Sequence, residues 1–295
     1  MNAELIRGII PAMITPMTEE EELDREGFKR LIDHMIDRGV HGIFTVGTAG
    51  EFWALSVEEK RQIYGWTVED VDGRVPVYAG TCANTTREAV LLAEIAQEAG
   101  VDCLSVLTPS FITPNQDEMY SHYGAIAKSV DLPILLYDNP ARTGNKLSVD
   151  LVVRLAERFE NIVGIKDSSG DFAQTLEYLR RSPEGFKTIM GRDSLIYSSL
   201  THGAAGAIAA TANIGPDLAV GIYECYIKGD LEGAMKFQWR LAPLRLAFSI
   251  GTQPAMLKAG AELVGLPGGP PRSPVSPLTE DEREQLQKII EGVEI

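Results

Sequence analysis

The chain has 295 residues, 44% of them hydrophobic and 23% charged, enough apolar material for one large core or two domains. With 42 acidic against 27 basic side chains, the net charge is −15. That balance excludes nucleic acid and anionic membranes as partners, because both require a basic surface, and any anionic substrate must be captured by donors arranged locally.

The N-terminus, M-N-A-E-L-I-R-G, carries an early acid and no long apolar stretch, so no signal peptide is expected. No segment approaches the roughly 20 apolar residues that cross a bilayer. Cys82, Cys103 and Cys225 lie far apart and form no C-x-x-C. Such a sparse, odd count fits reduced thiols in the cytoplasm better than a disulfide framework or a zinc site. A cytoplasmic protein is the expectation.

From the start to about residue 227, short apolar runs alternate with amphipathic stretches. The runs are Gly8–Ile14, Gly42–Val46, Val75–Ala79, Cys103–Leu107, Pro133–Tyr137, Ile162–Ile165, Phe186–Met190 and Ala204–Ala210. They are rich in Val and Ile and bounded by Gly, Pro or polar residues, as buried strands are. Helical spacing lies between them: Arg25–Arg38 places Phe28, Leu31, Ile32, Met35 and Ile36 on one face, and Thr86–Ala99 places Val90, Leu91, Leu92, Ala93 and Ile95. Ser56 with Glu59 three residues on is a capping-box pattern, Ser148 precedes a helix over Val149–Phe159, and Gly39 and Gly100 sit at helix stops. Eight β-then-α units of about 30 residues predict an α/β fold of the (β/α)₈ barrel kind over residues 1–227. Beyond that the strand signal disappears. Leu231–Leu246 and Pro254–Val264 read as helices, L-P-G-G-P-P-R-S-P-V-S-P cannot be helical, and Thr279–Gly292 is a last amphipathic helix with Val293 and Ile295 just past it. Residues 228–295 are therefore expected to form a helical extension packed on the barrel.

In such a barrel chemistry gathers at the C-terminal strand ends. The sixth run leads through Lys166 into D-S-S-G-D, and of ten lysines this is the only one at the polar end of a buried strand. Desolvation there lowers an ammonium's pKa and frees an amine to attack a carbonyl; otherwise the side chain snorkels to solvent or pairs with Asp167. The second run ends in V-G-T-A-G-E, residues 46–51, where Gly47 and Gly50 permit a tight turn whose N–H groups, beside the Thr48 hydroxyl, suit a carboxylate or phosphate. The same residues also suit a plain turn into a helix. The fifth ends in L-L-Y-D-N-P-A-R-T-G, offering the Tyr137 hydroxyl to the barrel mouth and Arg142 to a carboxylate. His34, His41, His122 and His202 are scattered without metal spacing, and no G-x-S-x-G, Walker loop or G-x-G-x-x-G occurs.

A G-[ST]-x-G-E turn, then Y-x-x-P, then G-[IL]-K-[DEQ] in this order, together with the opening G-I-I-P-A-M-I-T-P, resembles the dihydrodipicolinate synthase/N-acetylneuraminate lyase family over nearly the whole chain. The resemblance implies a class I, Schiff-base lyase on a (β/α)₈ barrel, usually a homotetramer, working without metal or organic cofactor. It makes Lys166 the Schiff-base residue for pyruvate or another 2-oxo acid. Thr48 and the backbone N–H of Ala49 would hold the carboxylate, with Gly47 in the same turn, and Tyr137 would be the proton relay. Gly191 and Ile208 would line the pocket, Arg142 and Arg192 would take the far carboxylate of an aldehyde or sugar-acid partner, and Phe111 would lie near the tight interface and the substrate. The synthase branch carries T-P-Y-Y after its fourth strand, where this chain reads T-P-S-F over residues 108–111. Ser110 and Phe111 thus replace two tyrosines, and a phenylalanine carries no proton. Asp138 stands where the family commonly has Asn, and G-I-K-D-S-S-G-D is also familiar from aldolases and dehydratases of 2-keto-3-deoxy sugar acids. The expected reaction is therefore of that sugar-acid type. 4-Hydroxy-tetrahydrodipicolinate synthase is the alternative, and a barrel that only binds a 2-oxo acid is the alternative of another class.

Overall fold

The computed structural model describes residues 3–293. Met1 and Asn2 of the N-terminal stretch, and Ile295 of the expected apolar tail, lie outside the described residues. Eight parallel strands make one sheet: β1 (Gly8–Pro11), β2 (Ile43–Thr45), β3 (Val77–Gly80), β4 (Cys103–Leu107), β5 (Ile134–Asp138), β6 (Ile162–Asp167), β7 (Lys187–Met190) and β8 (Gly206–Ala209). Hydrogen-bonded neighbours run β1-β8-β7-β6-β5-β4-β3-β2. The remaining gap is closed by a parallel bridge between Ala12 and Phe44, with the Met13 N–H donating to the Phe44 carbonyl at 2.9 Å. The sheet is thus a barrel. Every strand residue but Lys187 is buried, which is why the strands read as continuous apolar runs and not as alternating ones.

The helices surround it: α1 (Arg25–Asp37), α2 (Val57–Val71), α3 (Thr86–Ala99), α4 (Gln116–Ser129), α5 (Pro140–Thr143), α6 (Val149–Arg158), α7 (Phe172–Arg181), α8 (Ile196–Thr201) and α9 (Pro216–Ile227). Their ends follow the capping chemistry. Ser56 and Glu59 form the reciprocal capping box of α2, Ser148 accepts from Leu151 N–H, and Gly100 closes α3 at φ 88°. Phe28, Leu31, Ile32 and Met35 of α1 are fully buried, as their spacing requires. On α3 the buried set is Ala89, Leu92, Ala93, Ile95 and Ala96, whereas Leu91 is 43% exposed. Consecutive helical residues point about 100° apart, so Leu91 cannot share the face of Leu92.

Past α9 come α10 (Leu231–Leu246), α11 (Ala255–Leu263) and α12 (Glu280–Val293). Thr279 caps α12 instead of belonging to it, and Val293 is its last, buried residue. The proline-rich connector before α12 is irregular but firmly held. Lys258 of α11, 1% exposed, sits with Nζ 2.6 Å from Glu51 Oε1 and donates to the Pro270 carbonyl at 2.7 Å. Glu51 Oε2 accepts from Arg272 N–H at 2.8 Å. The Arg272 guanidinium donates to the carbonyls of Glu21 and Ala54 and pairs with Glu59 at 2.7 Å. The extension is therefore clasped to the loop after β2 by charges that satisfy one another.

Candidate active site

The strand register brings the candidate residues together. Tyr137 of β5 lies directly beside Lys166 of β6, and the next pair is Asp138 with Asp167. Side chains alternate along a strand, so Tyr137 and Lys166 point into the barrel while the two aspartates point out. Asp167 is occupied there: it accepts from Ser169 N–H at 2.9 Å and from the Thr175 hydroxyl at 2.6 Å. Asp138 accepts from Leu147 N–H and from the Gln174 amide. Burial pushes the Asp138 carboxyl up to about 7, with the neighbouring Asp167 charge adding to it. Lys166 consequently neither snorkels nor pairs with Asp167.

Instead Lys166, 3% exposed, holds its Nζ 4.1 Å from the centre of the Tyr137 ring and 4.5 Å from that of Phe44. Among the described residues no carboxylate is within ion-pair distance of it. Burial lowers its pKa, opposed by Tyr137 and by Asp193. Burial alone pushes the Tyr137 phenol up, but the Lys166 ammonium and hydrogen bonds with Thr48, Ser168 and Asn139 outweigh it, and the net shift is down. The Tyr137 hydroxyl lies 3.5 Å from the Thr48 hydroxyl and accepts from the Asn139 amide at 3.2 Å. An amine inclined to lose its proton thus faces a hydroxyl placed to pass one on.

These groups line a cavity of about 320 Å³ at the barrel mouth, room for roughly ten waters at liquid density. Thr48, Ala49, Tyr137, Arg142, Lys166, Gly191 and Ile208 all reach it. The turn carrying Thr48 and Ala49 is bracketed by two non-glycine residues in the left-handed region, Val46 at φ 54° and Glu51 at φ 58°. For a β-branched residue that conformation is costly, and such strain collects at sites that need it. Thr15 ties the turn down through the Gly50 carbonyl at 2.8 Å. The N–H groups of Thr48 and Ala49 have no acceptor among the described residues, leaving two donors beside a hydroxyl. Gly47 is not at the cavity surface; it lies behind the turn, where a Cβ would come within 2.5 Å of the Phe44 ring. A Cβ at Gly191 would crowd the Ser168 hydroxyl, which donates to the Gly191 carbonyl at 3.1 Å.

Phe111 is not in the cavity. It is 97% exposed with φ 71°, on a loop where Ser110 donates to the Asn84 side chain and the ring projects away from its own barrel. The sequence also missed Asn139 and Ser168, which line the cavity two positions past residues it singled out. Asp193, in the polar M-G-R-D end of the seventh strand, lines it as well, and its carboxylate accepts from Thr211 N–H at 2.7 Å. Arg245, Phe248, Gln253 and Leu257 come from the helical extension, where no strand-end rule points. Among the described residues no group of three or more His, Cys, Asp or Glu could hold a metal ion, and no helix is long and apolar enough to cross a membrane.

Comparison with known proteins agrees with the barrel fold. Residues 5–293 match the model of the dihydrodipicolinate synthetase family. The chain is 42% identical to a 4-hydroxy-tetrahydrodipicolinate synthase of Methanoculleus marisnigri, over 97% of this chain and 99% of that one. It is 38% identical to the enzyme of the same name from Methanopyrus kandleri, over 96% and 95%. Among solved structures, YagE, a prophage protein of the dihydrodipicolinic acid synthase family from E. coli K12 in complex with pyruvate, superposes with a TM-score of 0.95 at 32% identity, covering 98% of this chain and 99% of that chain.

Proposed function

Because the chain belongs to the dihydrodipicolinate synthetase family of class I lyases, we propose that Lys166 condenses with pyruvate and that the resulting enamine adds to an aldehyde. The Nζ amine attacks C2 of pyruvate, and the C2 oxygen leaves as water after Tyr137 has passed it a proton. The protonated imine is the electron sink. Loss of a proton from C3 gives the enamine, C3 attacks the aldehyde carbon, the new alkoxide takes a proton, and hydrolysis returns the free amine. Thr48 and the Ala49 N–H hold the pyruvate carboxylate during these steps. The observation that carries this reading is a buried amine stacked on a phenol with no carboxylate to neutralise it. A barrel that merely binds a 2-oxo acid has no use for that pair.

For the aldehyde, the named relatives favour aspartate semialdehyde, hence 4-hydroxy-tetrahydrodipicolinate synthesis, with Arg142 on its carboxylate. They support this better than the sugar-acid reaction expected from the sequence. The sugar-acid aldolase or dehydratase stays as the second reading on one observation, the Ser110–Phe111 pair where the synthase branch has two tyrosines. Pyruvate plus aspartate semialdehyde should give product promptly; if it does not while 2-keto-3-deoxy sugar acids are turned over, the second reading replaces the first. Phe111→Tyr sharpens the choice, since a rise in synthase turnover of about 10²-fold would mean that the missing hydroxyl limits that reaction. We further propose a cytoplasmic homotetramer in which Phe111, fully exposed in one chain, packs against a second copy. A monomer by sedimentation at micromolar concentration would contradict it.

A further inference from the structure

A hydroxyl that passes protons in both directions has to keep its oxygen in one place whether or not it holds a proton. Side chains alternate along a strand, so Asn139, one residue past the end of β5, returns to the side that Tyr137 faces and lines the same cavity. Asn139 is also the N-cap residue of α5, a position where asparagine ordinarily accepts from the free N–H groups of its own helix. It makes no such bond. Its amide is turned into the cavity and donates to the Tyr137 hydroxyl at 3.2 Å. The backbone that aims it is fixed. The Asn139 carbonyl accepts from Arg142 N–H at 2.9 Å and Thr143 N–H at 3.1 Å, Pro140 follows in the first turn, and the Thr143 hydroxyl lies 2.8 Å from that of Thr108 beyond β4.

The directions of the bonds at the phenol oxygen follow from the partners. Ser168 donates its one proton to the Gly191 carbonyl at 3.1 Å, so toward Tyr137 it can only accept. An amide N–H can only donate. Tyr137 thus has an acceptor for its proton in Ser168 and a donor to its lone pair in Asn139, while the Thr48 hydroxyl, 3.5 Å away, can serve either way. We propose that Asn139 is a positioning residue for the proton transfers at Lys166: its amide holds the Tyr137 oxygen beside the amine and stabilises the phenolate left when the proton has moved on. Burial pushes the Tyr137 phenol up, and the Lys166 ammonium and the bonds with Thr48, Ser168 and Asn139 bring it down. The other titratable group packed on Tyr137 is Cys82, whose thiol burial pushes up to about 12, so it stays neutral.

This deepens the proposed reading and rests on its Schiff base, and the two fail separately. The test needs no aldehyde: it is the exchange of pyruvate methyl protons for deuterium in D₂O, followed by proton NMR, since that exchange requires the imine and then the enamine. Asn139→Ala should lower the maximal exchange rate by about 10-fold, with the half-saturating pyruvate concentration within about 2-fold of the wild type. The alkaline limb of its pH profile should move to higher pH, because the phenol has lost a donor that favours its ionised form. Asn139→Asp keeps the size and the capping preference of the residue but sets a carboxylate against the phenol oxygen, and should cost more, about 10²-fold. In a Tyr137→Phe background Asn139→Ala should add less than about 2-fold, because nothing is left for the amide to hold. The same loss on top of Tyr137→Phe would overturn the inference. So would a loss confined to the half-saturating concentration, an unmoved alkaline limb, or an Asp variant as fast as the wild type. Failure of borohydride to trap pyruvate on Lys166 in the wild type would instead bring down the Schiff-base reading itself.

Discussion

Two buried lysines in this molecule meet opposite fates. Lys258 faces Glu51 at 2.6 Å and the Pro270 carbonyl at 2.7 Å, and its charge is fully answered. Lys166 is equally buried, with the rings of Tyr137 and Phe44 against it and no ion-pair partner among the described residues. Burial pulls both pKa values down; at Lys258 the Glu51 carboxylate opposes it, whereas at Lys166 a phenol and a more distant Asp193 oppose it. A third lysine, Lys60 on α2, is buried and lowered too, yet it lies outside the barrel cavity. Burial alone therefore does not single out Lys166. What sets it apart is burial without a carboxylate, beside the Tyr137 hydroxyl, at a cavity a substrate can enter.

The comparison breaks most visibly at Lys166 itself. Lys166→Met should lower turnover by about 10⁴-fold or more while raising the melting temperature at neutral pH. The sign follows from the lowered pKa. Below its native pKa the ammonium is charged in both states and its burial costs stability; between that value and 10.5 the unfolded chain holds a proton the native state lacks, so stability rises with pH through that window. Lys166→Met should lose that rise, as thermal melts from pH 7 to 10.5 would read. A stability difference between wild type and variant that does not change with pH across that range would contradict the assignment.

Next in size is Tyr137→Phe, which keeps the ring under the amine but removes the hydroxyl. Turnover should fall by about 10²- to 10⁴-fold, with pyruvate still trapped on prolonged incubation; unchanged turnover would remove the relay from the account. Lys258→Met probes the other side of the comparison. It leaves Glu51 buried without its cation and should cost about 3–5 kcal/mol in denaturant unfolding, of which Lys258→Met with Glu51→Met should recover most. Because Glu51 ends the turn that carries Thr48 and Ala49, the single variant should also raise the KM for pyruvate. A KM that stays constant would separate the clasp from the site.

The contrast between the two lysines also shows what was legible in the sequence. Lys166 could be read because a strand buried on both faces is a continuous apolar run and its polar end is abrupt. The eight strands, the caps at Ser56 and Ser148 and the Gly100 stop follow from equally local chemistry. Lys258 could not be read, since its partner is 207 positions away and its helix shows only ordinary amphipathic spacing. Arg245 was illegible for the same reason, reaching the cavity only because α10 docks through Gln238. Phe111 was expected against the substrate, but its left-handed backbone turns it outward from its own chain. Asp138 was noticed as a departure from the family motif; the fold turns it away from the cavity toward Leu147 and Gln174.

A further test concerns that residue. With a native pKa raised to about 7 against 3.8 for a free carboxyl, Asp138 binds a proton in the native state that the unfolded chain has lost, so stability should decline as pH rises from about 4 to 7. Asp138→Asn should flatten that decline, because the amide does not titrate while its oxygen still accepts from Leu147 N–H. An unchanged pH profile would show that Asp138 is ionised throughout.

The most direct test is the mass of the protein, and of its peptides, after borohydride treatment with and without pyruvate. The account predicts a pyruvate-dependent adduct on Lys166 and none on Lys258 or Lys60. An adduct on another lysine, or none in folded protein with pyruvate in excess, would contradict it.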